Sequence, residues 1–182
     1  IEKLNDRLRK DPFLGKGTVA VTQIFFKSPS HNAVPDECTI QLDRRLTKGE
    51  TREVVISELE NVIKRAGEEA EIVELEYRRT SYTGLEYPTK KYFPTWVMDE
   101  DHEIVRKSVE AYRTVFGEEP VVDKWTFSTN GVATAGMFGI PTIGFGPGNE
   151  IHAHSPSDQV SIDHLVKAAA MYAYLPLKLS RD

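Results

Sequence analysis

The chain has 182 residues, a net charge of −5, 40% hydrophobic residues and 28% charged residues, a profile typical of a globular protein of one or two domains. The mildly acidic balance and the lack of a basic patch argue against a nucleic-acid partner. No apolar run is long enough to cross a membrane and no signal peptide is visible, so we expect a cytoplasmic location and no membrane contact.

The first part of the chain is predicted to run helix, strand, strand, helix, strand. The segments are expected near residues 1–11, 18–26, 38–45, 47–67 and 71–79. In the second strand Cys38, Ile40 and Leu42 alternate with polar residues, so we expect one buried face and a buried Cys38 thiol. With one further strand upstream, this order is the split β-α-β pattern of a ferredoxin-like layer.

The second part of the chain is predicted to alternate helices with short strands. A turn-rich segment suggests a domain boundary near Glu86, dividing the chain into 1–86 and 87–182. Helices are expected over 99–117, 128–139 and 161–175, and strands over 121–125 and 140–145. This alternation predicts an α/β layer, and its small size suggests an incomplete sheet.

His154 is the sharpest candidate for chemistry, because it follows the predicted strand 140–145, where α/β sheets gather ligands. Neutral imidazole is a common zinc ligand, although a loop histidine is more often simply solvated. His152 would point elsewhere in an extended loop. A zinc site needs three or four protein ligands, and a catalytic site also needs a base near the water. The pairs Glu68–Glu69 and Glu118–Glu119 look more like solvated turns than ligand and base.

Several polar and glycine residues allow both a structural and a binding interpretation. Gly146 and Gly148 flank a proline in a turn that offers backbone N–H groups to a carboxylate, or simply closes the strand. The residues before the predicted helix 128–139 could cap it or favour an anion; they are Ser128, Thr129 and Asn130. Arg45 suits a carboxylate, but Asp43 lies on the same predicted face, so a surface ion pair is the simpler interpretation.

The order of these pieces along the chain resembles the M-twenty metallopeptidase family. The matching stretches are NAVP at 32–35, LDRRL at 42–46, STNG at 128–131, GIPTIGFGPG at 139–148 and AHSPSDQV at 153–160. The amino-acid sequence between these stretches is similar to that of the selenium-metabolism-linked hydrolase branch. Members include acetylornithine deacetylases, succinyl-diaminopimelate desuccinylases and carboxypeptidases.

The resemblance implies a lid or dimerisation domain over 1–86, lacking its first strand, and the carboxy-terminal part of an α/β catalytic domain over 87–182. It implies that His154 holds one of two zinc ions, with cobalt or manganese as possible replacements. It also implies that Asn32 and Arg45 reach the substrate of a neighbouring subunit in a homodimer. The two groups placed beside the substrate carboxylate are Ser128, Thr129 and Asn130, and the turn from Gly146 to Gly148.

Two positions depart from the family pattern: Asn130 stands where aspartate is usual, and Asp158 where glutamate is usual. The family's other zinc ligands and its general base precede the lid, so we expect this chain to be a fragment with no catalytic residue of its own. The expected activity of the whole protein is zinc-dependent cleavage of an amide in a small N-acyl compound or short peptide. The alternative is a non-catalytic oligomerisation module of the same fold.

Overall fold

The computed structural model describes residues 1–125 and 127–180. The chain forms two compact units, Ile1–Thr95 and Trp96–Asp182. The first unit contains α1 (Glu2–Arg7), β1 (Lys10–Asp11), β2 (Gly15–Lys16), β3 (Thr18–Lys27), β4 (Glu37–Arg45), α2 (Arg52–Ala66), β5 (Glu76–Tyr77) and β6 (Thr89–Lys90). The second unit contains α3 (Glu103–Phe116), a π-helical segment (Val132–Met137), a 3-10 turn (Glu150–His152) and α4 (Ile162–Leu179). The predicted mixture of helices and strands is confirmed.

The long antiparallel ladder of β3 and β4 dominates the first unit. Its register runs from the pair Thr18↔Arg45 to the pair Lys27↔Glu37, and it shifts between Val21 and Gln23. Both strands were expected from their β-branched and alternating residues. The remaining ladders of this unit, β1 with β2 and β5 with β6, are each two residues long.

The apolar face of this ladder is largely exposed to solvent at the end nearest the β3–β4 connection. Val19 is buried, whereas Ile24 is 64% and Phe26 70% exposed. Cys38, which lies opposite Phe26, is also exposed, so the prediction of a buried thiol was wrong. The physical reason is that alternation gives a strand two chemically different faces, while burial requires a second layer over one of them.

Helix α2 follows the predicted periodicity and ends at the predicted residue. The Thr51 hydroxyl accepts a hydrogen bond from the Val54 N–H at its start. Gly67 ends it with φ of 72°, a left-handed conformation that favours glycine. The predicted apolar stripe is half-buried; it consists of Val55, Leu59, Val62 and Ile63.

Two other predictions for the first unit were too long. The opening helix ends at Arg7 and gives way to β1, and the expected strand over 71–79 is reduced to β5. Val73 and Leu75, which alternate with acidic residues in this segment, are both exposed. An alternating segment becomes a strand only where another strand pairs with it, and here β6 pairs with two residues alone.

Two packed helices form the core of the second unit. His102 caps the start of helix α3, with its Nδ1 accepting from the Ile104 N–H, and Gly117 caps its end with φ of 70°. Helix α4 extends four residues beyond the predicted 161–175 segment, to Leu179. The buried residues of the pair are Val105, Ser108 and Ala111 on α3 and Ala168 and Met171 on α4. Both helices were correctly predicted from their 3.6-residue pattern.

The two strands predicted for the second unit are not formed. Residues 121–125 and 140–145, both within the described part of the chain, have extended or irregular backbone without a paired strand. The predicted helix over 128–139 is a short π-helical segment, Val132–Met137. Across 1–125 and 127–180, no helix has the length and apolar character needed to cross a membrane.

Candidate functional site

The candidate residues of the first unit lie on β4 and on the loop that precedes it. Arg45 ends β4, and its Nε lies 2.9 Å from Oδ1 of Asp43, while its Nη2 lies 3.1 Å from Oδ2. The strand alternation places these two side chains on the same face, as predicted. The Arg45 side chain is 72% exposed, so its guanidinium is accessible as well as paired.

The opposite face of the same strand end is firmly anchored. Arg44 Nη2 lies 2.7 Å from Oε1 of Glu50 and 2.9 Å from Oε2 of Glu58. The Glu50 side chain is only 1% exposed, and its Oε2 also accepts from the Thr47 N–H at 2.9 Å. Because these contacts restrain Arg44 and Thr47, and the Thr95 hydroxyl donates to the Leu46 carbonyl at 3.0 Å, the backbone on both sides of Arg45 is held while its side chain remains exposed.

Asn32 lies in the exposed loop between β3 and β4. A bond from the Ser28 hydroxyl to the Ala33 carbonyl, 3.0 Å long, and the Ala33 N–H to Ser30 carbonyl bond, 3.2 Å long, stabilise this loop. Asn32 and Arg45 are therefore carried by the same hairpin, the first on its connection and the second at the far end of β4.

In the second unit, the predicted triplet 128–130 precedes a tight backbone approach. The Thr129 hydroxyl accepts from the Gly131 N–H at 3.1 Å, a local turn of the loop, and no side chain of the predicted triplet caps the helical segment, whose N-cap is Gly131. The indole of Trp96 occupies the space where a Cβ on Gly131 would lie. Glycine is thus required here by packing. Ser128 is exposed and Asn130 immediately precedes the helical turn.

The glycine turn at 146–148 is tied to helix α4 by two hydrogen bonds. The Gly148 N–H donates to Nδ1 of His164 at 3.3 Å, and the Tyr172 hydroxyl donates to the Phe145 carbonyl at 2.7 Å. Gly148 has φ of 107°, which requires glycine. A Cβ at Gly146 would meet nothing closer than the Tyr172 hydroxyl at 3.7 Å, so this glycine leaves open space beside the turn.

His154 adopts a left-handed backbone conformation. Its φ of 60° is the one positive value found among non-glycine residues of the described ranges 1–125 and 127–180. Such values are uncommon outside glycine and concentrate at functional sites. His154 is exposed. His152 is half-buried at the end of the 3-10 turn, and the His152 carbonyl accepts from the Ser155 hydroxyl at 2.7 Å.

Metal coordination needs more donors than His154 alone. Within residues 1–125 and 127–180, no three histidine, cysteine, aspartate or glutamate side chains cluster closely enough to hold an ion. One accessible imidazole fits the chemistry of a zinc ligand, and the described residues do not complete a site around it. The Glu119 carboxylate is instead held by Arg113, with both oxygens 2.9 Å from Nε. This supports the solvated interpretation of that acidic pair.

Sequence reasoning missed the residues that support these candidates. His164 is exposed, and its Nδ1 accepts from the Gly148 N–H. Trp96 and Trp125 pack against Gly131 and Gly144 respectively, at positions where a Cβ would overlap the indole. A tryptophan in each of two irregular segments, with glycine in the facing segments, is the signal that could have indicated these approaches.

Residues 9–178 match the model of Peptidase family M20/M25/M40, and the chain belongs to this family. It is 52% identical over 177 residues to the uncharacterized protein YgeY of Escherichia coli K12, which covers 97% of this chain and 44% of that protein. It is 26% identical over 164 residues to the N-formyl-4-amino-5-aminomethyl-2-methylpyrimidine deformylase of Bacillus subtilis, which covers 88% of this chain and 38% of that enzyme.

A solved structure supports the same fold. The chain is similar to the M20 family metallo-carboxypeptidase Sso-CP2 from Sulfolobus solfataricus, with a TM-score of 0.50 and 21% identity over 90% of this chain and 37% of that one. This likeness concerns the fold alone. The chain spans less than half the length of the curated relatives that it matches.

Proposed function

We propose that this chain is the carboxy-terminal part of a dizinc-dependent hydrolase that cleaves an amide bond in an N-acyl amino acid, carbamoyl compound or short peptide. The observation that carries the proposal is the family match over residues 9–178, combined with the positive φ of His154. The deformylase and the metallo-carboxypeptidase among its relatives are both named for hydrolytic reactions, which supports this class of activity.

In this proposal the two units have different tasks. Residues 1–86 act as the lid and dimerisation domain, and residues 87–182 as the carboxy-terminal part of the catalytic domain. The exposed guanidinium of Arg45 and the amide of Asn32 would bind the substrate of a partner subunit in a homodimer. The open apolar end of the β3–β4 ladder, with Phe26 70% exposed, is consistent with a lid that is covered in the whole protein.

The catalytic part contributes recognition of the substrate and one metal ligand. Ser128, Thr129 and Asn130 would contact the substrate carboxylate from one side, and the turn from Gly146 to Gly148 from the other. His154 would hold one metal ion, zinc by preference. When bound, the metal pair supplies Lewis acidity toward the scissile carbonyl and lowers the pKa of an attacking water. The general base and the other ligands lie outside this chain in our proposal.

The selenium-metabolism-linked branch is our proposed placement within the family. The support for this placement is the amino-acid sequence of the segments between the shared motifs, such as DPFLGKGTV and DKWTFSTNG. Asn130 and Asp158 are the positions where this chain departs from the common family pattern, and we propose that Asn130, beside the substrate carboxylate, contributes to the choice of substrate.

The proposal is tested with the full-length protein in which this chain occurs. We expect it to hydrolyse at least one member of a panel of N-acyl amino acids, carbamoyl amino acids and dipeptides, to lose this activity on chelation and to regain it with zinc. The isolated 182-residue chain should be inactive on the same panel. Activity that survives exhaustive chelation would contradict the metal-dependent mechanism.

The competing hypothesis is a non-catalytic oligomerisation module. It predicts that the full-length protein forms dimers but hydrolyses no member of the panel at any metal concentration. The activity assay separates the two, because both hypotheses predict a dimer on sedimentation of the same preparation and the hydrolase hypothesis alone requires turnover.

A further inference from the structure

We propose that Asp43 is a specificity-determining residue, because its carboxylate occupies the donors of Arg45 that a substrate carboxylate would use. The inference rests on the proposed role of Arg45 in substrate binding. It adds that the Nε–Nη2 edge of Arg45 is already paired within its own strand, so an acidic substrate group that binds at this edge has to displace Asp43.

The geometry of the pair is that of a carboxylate ligand on a guanidinium. Both oxygens of Asp43 are engaged, Oδ1 with Nε at 2.9 Å and Oδ2 with Nη2 at 3.1 Å. Two parallel contacts of this kind match the planar fork of arginine. The inference commits to this Nε–Nη2 edge of the guanidinium: a substrate carboxylate that approaches it needs the same two donors and therefore competes with Asp43.

The surroundings of Arg45 make Asp43 its defined partner on this face. The residues opposite Asp43 and Arg45 on β3 are Ala20 and Thr18, which are too small to cover the pair or to carry a competing charge. The neighbouring cation, Arg44, is directed to the other face by Glu50 and Glu58. Asp43 is consequently the acid that sets the resting position of the Arg45 side chain.

The exposure of the pair makes displacement feasible. The side chain of Arg45 is 72% exposed and that of Asp43 is 44% exposed. Ion pairs in contact with water are weak, so a ligand held by additional contacts elsewhere can replace Asp43 at little cost. A substrate that lacks a negative group gains nothing from Arg45 and need not break the pair. Asp43 therefore weakens the binding of acidic substrates and leaves neutral ones unaffected.

The test measures KM and kcat of the full-length enzyme for the N-acyl amino acid that it hydrolyses fastest and for the carboxamide of the same compound. In Asp43→Asn we expect KM for the acid to fall about two- to fivefold, the range expected from losing a weak exposed competitor, with kcat unchanged. KM for the carboxamide should not change. Asp43→Ser provides a second variant with the same expectation should the first not fold.

Two further variants separate the possible failures. Glu76→Gln is the matched control, because Glu76 forms a similar exposed ion pair at 3.0 Å with Arg78, two residues along the chain. This variant should leave both KM values unchanged. Arg45→Ala should raise KM for the acid. If it does so while Asp43→Asn leaves that KM unchanged or raises it, the competitor role is overturned. If Arg45→Ala leaves KM unchanged, the substrate role of Arg45 fails, and this inference fails with it.

Discussion

The backbone N–H of Gly148 donates a hydrogen bond to Nδ1 of His164 at 3.3 Å, which connects the glycine turn to the first turn of helix α4. The bond joins residues sixteen positions apart in the chain. A side chain of helix α4 therefore stabilises the turn that we propose to contact the substrate carboxylate.

Removal of the His164 acceptor should loosen this turn. In His164→Ala we expect faster amide hydrogen exchange at Gly148, because its N–H loses its partner. Exchange measured by NMR on the chain checks this. His102→Ala is the control, since Nδ1 of His102 accepts a backbone N–H in the same unit at 3.2 Å and should affect Ile104 instead. Unchanged exchange at Gly148 in His164→Ala would show that the bond is not maintained in solution.

Gly144→Ala should destabilise the second unit through overpacking. The Trp125 indole already fills the space of the new methyl group, so either the ring or the backbone must move. Insertions of this kind typically cost about 1–3 kcal/mol of unfolding free energy. Gly146→Ala, two residues away, adds its methyl group to open space and should cost less. Denaturant unfolding of both variants measures the difference, and equal losses would contradict the packing argument.

Glu50→Ala should be among the most destabilising single changes in the first unit. The buried carboxylate accepts from Arg44 at 2.7 Å and from the Thr47 N–H at 2.9 Å, and its loss removes this acceptor from the Thr47 N–H and leaves Arg44 paired with Glu58 alone. Breaking a buried pair in this way typically costs about 3–5 kcal/mol. Glu76→Ala removes an exposed partner of Arg78 and should change the unfolding free energy by less than about 0.5 kcal/mol. Thermal and urea unfolding curves compare the two.

The second unit should lose stability in acid through Glu110. The hydrogen bond and the charge of Lys178, 2.7 Å away on α4, hold the pKa of this α3 carboxyl below its ordinary value of 4.5. A lowered pKa stabilises the fold above the unfolded value, and this contribution disappears as pH falls through the lower folded value. We therefore expect the wild type to lose more unfolding free energy than Glu110→Gln when the pH drops below 4.5. Parallel slopes for both proteins would rule out this linkage.

His154→Ala should remove a metal ion from the full-length protein, whereas His152→Ala should not. A direct ligand determines stoichiometry, while a residue outside the coordination shell alters affinity alone, by about 10- to 100-fold. Elemental analysis after dialysis against free zinc gives the metal content per chain. We expect a loss of about one zinc per chain in the first variant, on the basis of three to four protein ligands per site. Equal zinc content in both variants would assign His154 a purely structural role.

The features that the sequence predicted well are those that depend on local interactions. Helices α3 and α4 were predicted because a 3.6-residue pattern and the stop at Gly117 lie within one segment of chain. The strands expected over 121–125 and 140–145 required pairing partners far along the chain, and no local signal specifies these. Exposure of Cys38 likewise depends on a covering layer and not on its neighbours.

The same distinction applies to the candidate site. The Asp43–Arg45 pair follows directly from their spacing of two on a strand, and the sequence anticipated it. The bond between Gly148 and His164 joins residues sixteen positions apart in different elements, and neither residue type alone signals it. The positive φ of His154 has no sequence signal, because histidine adopts this conformation only rarely.

Thr22 shifts the phase of β3. Before Thr22, Val19 pairs with Arg44 and Val21 with Leu42. After it, Ile24 pairs with Ile40 and Phe26 with Cys38, and all four partners lie on the same face of β4. The apolar positions change from odd to even numbers at this single unpaired residue. In a strand of strict alternation, one of these two apolar sets would share a face with Asp43 and Arg45. One inserted threonine therefore keeps both apolar sets together on one face, and Phe25, which pairs with Thr39, is the large apolar residue of β3 on the face of Asp43 and Arg45.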